Sequence, residues 1–516
     1  MESPQHRSPC RTSYKAAVPI LSAASSREGW DTTNARHPLV GNKIARMQIR
    51  LPLSIFGLVS VALSVAAQNS APALLPPDDR YKADLLLIVA HPDDDVVIGG
   101  YLARIALDEH KRIAVVYCTN GDGGGNSVGN EAGASLGQMR EIEARRALGA
   151  WGIYNVWFLS GHDTPGQNVL RSLDSWNHGR ALDEVVRLVR ITRPDVILTW
   201  LPDPVVGENH DDHQASSVLA VEAFDAAGDP TVFPEQVSPS RDRTGMANLT
   251  EGLLPWQPRK LYFFTDAFED WGPYWHDPET LSPFRKTIVD HTGPVYETTT
   301  ISPSRHKSYA ELTAEQQAFY LTQEGDIGVK ALKSGKFSDF EYHAHLIFGK
   351  SLVGGAVTGD VFDGVSPQPI PFARVQGYEP AHQNGLSFEI GDPWRFYELF
   401  WKAHNLGNLA QLIPVPEATP ESGGKLTLDF LACNRSPDSS EIAIAPLLPA
   451  GWTVLPKFAS YPVRAGECYP IQQQITAAPA SKSHWEQLTW TASAGSQQIG
   501  SVTVRVFVGK GGGLPQ

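Results

Sequence analysis

The chain has 516 residues, of which 42% are hydrophobic and 19% charged, so it is long enough for two or more globular domains with cores of their own. Its formal net charge of −13 argues against a nucleic-acid partner, because the phosphate backbone would be repelled. Four cysteines with no C-x-x-C pair are too few for a disulfide scaffold and argue against a thiolate zinc site.

An apolar run follows basic residues near the amino terminus. Residues 51–67, LPLSIFGLVSVALSVAA, lie behind Lys43, Arg46 and Arg50 and end in small side chains. This order is typical of a secretory signal peptide. A single membrane anchor is the alternative, although the apolar run is short for a span.

These signals predict an exported protein, either periplasmic or secreted. We expect translation to start at Met47, with 47–67 as the signal peptide, 68–80 as a linker and 1–46 as an over-long, disordered start. In an oxidising compartment Cys433 and Cys468 could pair, but the sequence alone leaves that pairing open.

Strand and helix patterns alternate through the middle of the chain. The predicted strands are 84–90, 112–118, 153–159 and 195–201, and the predicted helices are 96–109, 135–149 and 179–193. Such alternation predicts an α/β fold with a Rossmann-like parallel sheet and helices on both faces. Ligands on such sheets bind outside the carboxyl ends of the strands.

A charged cluster follows the first of these strands. His91 and Pro92 precede three consecutive aspartates, Asp93, Asp94 and Asp95, whose mutual repulsion requires a compensating positive charge. A dinucleotide site would carry G-x-G-x-x-G here, whereas three carboxylates repel phosphate and attract a divalent cation. Alone, the cluster could be only a capped turn.

A second cluster, His210 to His213, follows the strand at 195–201. Imidazole and carboxylate groups suit zinc, and three protein ligands with an open position for water are the catalytic zinc pattern. Alone, this cluster could be a solvated helix start. Two clusters at the carboxyl ends of parallel strands are harder to explain by capping, and they predict a metal site.

The glycine-rich stretch TNGDGGGN, residues 119–126, follows the second strand. It has neither the lysine nor the spacing of a P-loop. It is either a flexible loop that lines the site or a plain turn.

Two further elements are predicted between the second cluster and residue 413. Residues 256–268 contain a strand that returns to the sheet. Residues 312–325 predict a helix opened by a capping box of Thr313 and Gln316.

The two motifs together resemble the PIG-L / LmbE family of zinc-dependent de-N-acetylases, whose signature is AHPDDE followed by a distant H-x-D-H. QMREIEARRALGAWGI at 138–153 is similar to the family's R-x-x-E…A-x-x-LG helix, and RPDVILTW at 193–200 resembles the strand before its second motif. The resemblance covers roughly residues 84–225. It departs from the family pattern at Asp95, where the family usually has glutamate.

The resemblance implies one zinc ion per catalytic domain, although a mixed nitrogen and oxygen site accepts other divalent metals. The implied zinc ligands are His91, Asp94 and His213. Asp93 would act as general base on the metal's water, and His210 would stabilise the oxyanion and protonate the leaving amine. Asp212 would hold His210 in orientation, and Asp95 would support the site from behind the ligands.

Three residues are candidates for substrate binding. Arg140 resembles a family position that contacts substrate, and its alternative is a surface salt bridge with Glu143. Asn120 and Asp122 are candidates because their loop follows the second strand.

The implied reaction removes an acetyl group from an N-acetylated amino sugar, of the N-acetylglucosamine type, to give acetate and a free amine. The expected partner is a carbohydrate or glycoconjugate, with membrane contact only through the signal peptide or an anchor. A zinc amidase acting on a non-sugar N-acyl conjugate and a non-catalytic exported glycan-binding protein are the alternatives.

Residues 414–424, PVPEATPESGG, are predicted to be a linker. The region before it, 81–413, would be the deacetylase domain with a carboxyl-terminal extension. After the linker the hydrophobic pattern has period two, which predicts an all-β, immunoglobulin-like sandwich over 425–510.

Overall fold

The computed structural model describes residues 78–164, 166–203, 209–237, 253–265, 292–372, 385–412, 415–420, 424–457 and 459–509. All of them belong to one compact unit, Ala73–Gln516. The predicted leader and signal peptide lie outside the described residues, as does the predicted linker up to residue 77. Among the described helices, none combines the length and the apolar composition that a membrane span requires.

The first part of the fold is a six-stranded sheet. Its first five strands are β1 (Leu85–Val89), β2 (Ile113–Thr119), β3 (Asn155–Gly161), β4 (Val196–Trp200) and β5 (Lys260–Phe264). A two-stranded ribbon follows, made of β6 (Val295–Glu297) and β7 (His343–His345), and then β8 (Ile347–Ser351) returns to the sheet. The strand order is β3-β2-β1-β4-β5-β8, with β1 to β5 parallel and β8 antiparallel at the edge.

Helices cover both faces of this sheet. The described α-helices are α1 (Gly99–Ala103), α2 (Ala134–Gly149), α3 (Val169–Ser175), α4 (His178–Thr192), α5 (Asp211–Ala226), α6 (Tyr309–Gln317), α7 (Gly325–Ser334) and α8 (Asp392–Ala403); α7 packs on α6 rather than on the sheet. One core contains side chains of α3, α4, α5 and α8, and the opposite core contains side chains of α1, α2 and α6. The predicted Rossmann-like α/β fold is confirmed.

The central strand β1 explains why the motifs meet. Leu86 and Ile88 enter one core while Leu85, Leu87 and Val89 enter the other, so the strand reads as an uninterrupted apolar run. β1 pairs with both β2 and β4, and the chain order reverses on either side of it. The segments that leave β1 and β4 therefore emerge side by side at one edge, where doubly wound sheets bind ligands.

Two predicted helices differ from the structure. The region 96–109 is a 3₁₀ helix (Asp94–Ile98), then α1, then a π turn (Arg104–Asp108). Helix α6 begins earlier than predicted, because Ser308 is its N-cap and accepts a hydrogen bond from the backbone of Glu311. Thr313 and Gln316 therefore lie inside the helix, and the predicted capping box is wrong. Ser308, five residues before Thr313, is also a favoured N-cap residue, and the helix begins there instead.

A β-sandwich forms the carboxyl-terminal part. Its strands are β9 (Leu386–Ile390), β10 (Glu417–Ala418), β11 (Lys425–Asn434), β12 (Ser440–Leu447), β13 (Thr453–Leu455), β14 (Ala459–Val463), β15 (Cys468–Thr476), β16 (His484–Ala494) and β17 (Gln497–Val508). The two sheets have the orders β10-β17-β16-β12-β14 and β13-β15-β11-β9. They are antiparallel except where β10 pairs with β17, and alternating side chains such as Phe430, Trp490 and Val504 fill the space between them.

Two strands of the sandwich lie outside the predicted range 425–510. β10 lies within the predicted linker, and β9 lies within the range assigned to the deacetylase domain, yet β9 pairs with β11. β10, with two residues, is too short to show an alternating pattern. β9 does alternate, with Leu386, Phe388 and Ile390 in the sandwich core, but the prediction did not include it. The pairing of both strands is non-local. Cys433 and Cys468, which face each other on β11 and β15, form a disulfide, the pairing that the sequence left open.

Candidate active site

Asp94 is fixed by the turn that ends β1. Its Oδ2 accepts hydrogen bonds from the backbone nitrogens of Ala90 (2.9 Å) and His91 (3.1 Å) and from Trp200 Nε1 (2.7 Å). The other oxygen, Oδ1, faces His91 and His213. One carboxylate oxygen is therefore held by the protein, and the other is available as a ligand.

Three donor atoms meet where the two motifs come together. His91 Nδ1 lies 3.2 Å from His213 Nε2 and 3.5 Å from Asp94 Oδ1, and His213 Nε2 lies 3.2 Å from Asp94 Oδ1. Ligands held tetrahedrally at about 2.0–2.2 Å from a metal ion are separated by about 3.3–3.6 Å. The set implied by the resemblance therefore fits one divalent ion, with a fourth position left for water or substrate.

Other groups of side chains could also hold an ion. The donor atoms of three such sets lie within 4.8 Å of one another: His91, His210 and His213; His91, Asp163 and Asp212; and His210, Asp211 and Asp212. In the second set His91 Nε2 lies 3.4 Å from Asp212 and 3.9 Å from Asp163, and both carboxylates already accept hydrogen bonds from threonine hydroxyls. The set of His91, Asp94 and His213 is favoured because its spacing is tetrahedral.

Asp212 orients His91 rather than His210. Asp212 Oδ2 lies 3.4 Å from His91 Nε2, the ring nitrogen that faces away from Asp94. Thr164 holds this carboxylate through its backbone nitrogen (2.8 Å) and its hydroxyl (2.5 Å). The predicted partnership of Asp212 with His210 is wrong. A carboxylate on the outer nitrogen of a histidine ligand fixes the tautomer and ring orientation that a metal requires.

His210 has a different carboxylate neighbour. It is the N-cap of α5 with an extended backbone, and its Nδ1 lies 3.4 Å from the Asp212 backbone nitrogen and 3.5 Å from Asp211 Oδ1. Its ring packs 4.1 Å from that of His213. Since both polar contacts involve Nδ1, Nε2 is left for a ligand.

Asp211 is fully buried beneath His210, and neither of its carboxylate oxygens has a hydrogen-bond partner. A buried carboxyl group without a hydrogen-bond donor favours positive charge nearby, and His210 Nδ1 at 3.5 Å is the neighbour that could carry it. No sequence pattern distinguishes the role of Asp211 from that of Asp212.

Asp93 has a strained backbone, with φ of 125°, a region that non-glycine residues rarely adopt and that is often found at functional sites. Burial raises the pKa of Asp93 well above its ordinary value, and the charge of Asp94 adds to this shift. A carboxylate with a raised pKa is a better proton acceptor at neutral pH, as a general base requires.

The two histidines of the favoured set have opposite pKa shifts. Burial lowers the pKa of His213 to about 4, which keeps its imidazole neutral, as metal binding requires. Burial also lowers the pKa of His91, but hydrogen bonds with Asp212 and Asp94 outweigh it and raise the pKa well above the ordinary value. The carboxylates around His91 thus favour a positive charge there, either a proton or a metal ion.

Asp95 is fully buried and points away from the ligands. It accepts hydrogen bonds from Tyr117 (2.6 Å) and Tyr320 (2.8 Å), and Gln316 of α6 also donates to it. Burial raises its pKa to about 6 despite these bonds. Its carboxylate therefore joins the 316–320 segment to the first motif, and its predicted support of the site from behind the ligands stays a prediction.

Arg140 does not form the surface salt bridge that was its alternative. It is buried, and its guanidinium donates to the carbonyl oxygens of Gly121 and Gly125, both at 2.7 Å. Glu143 instead accepts two hydrogen bonds from Thr322. Arg140 therefore shapes the glycine-rich loop, and its contact with substrate stays a prediction.

The other two predicted substrate contacts also lie on this loop. Asn120 donates to Glu141 (3.2 Å), and Asp122 lies 2.9 Å from His162 Nδ1. Nothing in these contacts requires a substrate, so their binding role stays a prediction.

Asp163 and Thr164, which the sequence reading missed, connect the loop to the ligands. Asp163 accepts hydrogen bonds from the Thr119 hydroxyl (2.6 Å) and the Gly123 backbone nitrogen (3.0 Å). Thr164 holds Asp212. Both residues follow the carboxyl end of β3. Because ligands bind at this edge of such sheets, that position could have identified them as candidate site residues.

Residues 86–224 match the family model of PIG-L, described as GlcNAc-PI de-N-acetylase. A 1D-myo-inositol 2-acetamido-2-deoxy-alpha-D-glucopyranoside deacetylase of Thermobifida fusca is 29% identical over 194 residues, covering 34% of this chain and 60% of the relative. The same-named protein of Rhodococcus erythropolis is 32% identical over 171 residues, covering 30% of this chain and 57% of the relative. The chain thus spans about 60% of the length of these relatives.

A solved structure of N,N'-diacetylchitobiose deacetylase from Pyrococcus horikoshii is similar with a TM-score of 0.35 and 16% sequence identity, over 51% of this chain and 83% of that one. The family match includes both motifs and every residue of the favoured ligand set. The chain therefore contains a domain of the PIG-L de-N-acetylase family, a family of hydrolases that act on linear amides.

Proposed function

We propose that this protein is a zinc-dependent hydrolase that removes the acetyl group from an N-acetylglucosamine-type glycoconjugate, releasing acetate and a free amine. The observation that carries the proposal is the tetrahedral spacing of His91 Nδ1, Asp94 Oδ1 and His213 Nε2. Each is a residue type that catalytic zinc sites use. Asp93 directly precedes Asp94 in the same turn.

His91, Asp94 and His213 would hold the metal ion. A bound divalent metal supplies Lewis-acid polarisation of an amide carbonyl and lowers the pKa of water. The remaining chemistry belongs to the side chains that surround this position.

Asp93 would accept the proton of the attacking water, since its raised pKa suits a general base. His210 would present Nε2 to the developing oxyanion and then donate a proton to the leaving amine nitrogen. Asp211 Oδ1, buried 3.5 Å from His210 Nδ1, would hold the imidazole ring so that Nε2 stays available to the substrate. Asp212 would hold His91 in orientation.

The substrate class is supported by the names of the relatives, which are deacetylases of an N-acetylated glucosamine conjugate. Arg140, Asn120 and Asp122 would shape the rim of the sugar site through the glycine-rich loop. Profiling acetate release across N-acetylated sugars and their conjugates would identify the sugar and its attached group.

We further propose that the protein is exported, on the basis of the basic, apolar and small residues over 43–67. The disulfide of Cys433 and Cys468 supports an oxidising compartment. Mass spectrometry of the amino terminus, after expression in a bacterial host, should find a chain that starts near residue 68 outside the cytoplasm. A chain that retains residues 47–67 in the cytoplasm would overturn this proposal.

Acetate release tests the activity directly. Protein from residue 68 onward should release acetate from N-acetylglucosamine, its oligomers or its inositol conjugate. Asp93→Asn should lower kcat by about 10²- to 10⁴-fold, because the general base is lost, while bound zinc stays equimolar. Asp339→Asn, an exposed aspartate, is the matched control and should retain full activity. Equimolar metal with no acetate from any sugar would contradict the substrate and favour another amide or a binding role.

The bond from Thr164 to Asp212 gives a second prediction. Thr164→Val keeps the side-chain shape but removes the hydroxyl donor at 2.5 Å, so Asp212 should hold His91 less firmly. The dissociation constant for zinc, measured by competition with a chromogenic chelator, should rise about tenfold. Thr164→Ser should restore most of the affinity. An unchanged affinity in the valine variant would show that Asp212 does not need this support.

A further inference from the structure

Helix α8 packs against both the sandwich and the α/β sheet. Only Gly391 separates it from strand β9, and the Gly391 backbone nitrogen donates to the carbonyl oxygen of Asp429 on β11 (2.7 Å). Trp394, in the first turn of α8, packs on the sandwich core. Tyr397, Phe400 and Trp401 pack in the α/β core instead. One helix is thus anchored in both hydrophobic cores.

The face of α8 toward the α/β sheet makes three polar contacts with segments that carry the candidate site. At its start, Asp392 accepts a hydrogen bond from Asn168 (3.1 Å), the N-cap of α3. In its middle, the Tyr397 hydroxyl donates to Gln214 Oε1 (3.0 Å). Near its end, Trp401 Nε1 donates to the carbonyl oxygen of Pro202 (2.8 Å).

Gln214 connects Tyr397 to the second motif. It directly follows His213, and its Nε2 donates to the carbonyl oxygen of Asn209 (2.8 Å). The Asn209 side chain in turn donates to the carbonyl oxygens of Leu201 (3.2 Å) and Asp203 (2.5 Å). The hydrogen-bonded series Tyr397, Gln214 and Asn209, called the relay below, therefore contacts both ends of the segment 210–213. It also connects this segment to the end of β4.

All three side chains of this relay are buried: Tyr397 and Gln214 are 0% exposed and Asn209 is 1% exposed. A buried polar group that loses its partner cannot form a replacement hydrogen bond with water. Each hydrogen bond of the relay therefore strongly constrains the positions of the residues that it joins. Small displacements of His210 or His213 would alter the donor spacing on which metal binding depends.

We propose that α8 is a positioning element of the metal site, and that Tyr397 is a positioning residue that acts through Gln214 on residues 209–213. The sandwich anchors this helix, so the carboxyl-terminal part of the chain helps to build the site rather than being a separate appendage. Only the expected effect of α8 on turnover rests on the proposed function. The expected effects of α8 on metal affinity and on local mobility do not depend on that function.

The test compares Tyr397→Phe with a matched control in the full mature protein. Tyr397→Phe removes one hydroxyl from the relay. Tyr296→Phe removes a hydroxyl that donates to Asp360 (3.2 Å), away from the site. Zinc affinity is measured by chelator competition, and amide hydrogen exchange is followed by mass spectrometry.

We expect Tyr397→Phe to raise the zinc dissociation constant by about three- to tenfold, somewhat less than the loss of a direct partner of a ligand. Amides of residues 209–214 should exchange at least about threefold faster, with no change in α4 (His178–Thr192). Tyr296→Phe should leave both quantities at wild-type values. A Tyr397→Phe variant with wild-type affinity and exchange would overturn the proposal, as would equal acceleration in α4 and residues 209–214.

A double-mutant cycle provides a further check through Gln214→Met. If both residues act through one relay, the Tyr397→Phe/Gln214→Met variant should bind zinc no more than about twofold more weakly than Gln214→Met alone. Fully additive losses would overturn the relay. A wild-type protein that binds zinc but releases no acetate would contradict the proposed function only, because neither zinc affinity nor exchange requires turnover.

Discussion

The buried imidazole of His91 is surrounded by negative charge, and the rest of the site depends on compensating that charge. Asp94 Oδ1 lies on one side of the ring, and Asp212 and Asp163 lie on the other. Carboxylates at this density in a buried setting repel one another unless a cation neutralises them. A divalent ion between His91, Asp94 and His213 would do so with favourable ligand geometry, and the raised pKa of His91 reflects the same attraction for positive charge.

The fold meets this constraint by bringing distant segments to one edge of a parallel sheet. β1 supplies the first motif, β4 leads to the second, and the segment after β3 supplies Asp163 and Thr164. Two further contacts support these groups. Asp95 connects the first motif to the 316–320 segment, and α8 contacts the second motif through Gln214. The site is thus held from both faces of the sheet.

Much of this arrangement could be predicted from local sequence patterns. Apolar runs located β1, β2, β3 and β4 to within about two residues, and the clusters after β1 and β4 indicated a metal site at the correct edge. The partner of Asp212 could not be predicted, because it depends on His210 lying outside helix α5 with an extended backbone while Asp212 lies in its first turn. The relay from Tyr397 to Gln214 spans 183 residues of sequence, and no local pattern reports such a contact.

The proposed chemistry depends on one metal ion bound by His91 Nδ1, Asp94 Oδ1 and His213 Nε2. The most direct measurement is an anomalous difference map, recorded at the zinc absorption edge from crystals of the zinc-loaded mature protein. We expect one strong peak about 2.0–2.2 Å from each of these three atoms. A peak between His91 Nε2, Asp163 and Asp212, or no peak near His91, would contradict this expectation.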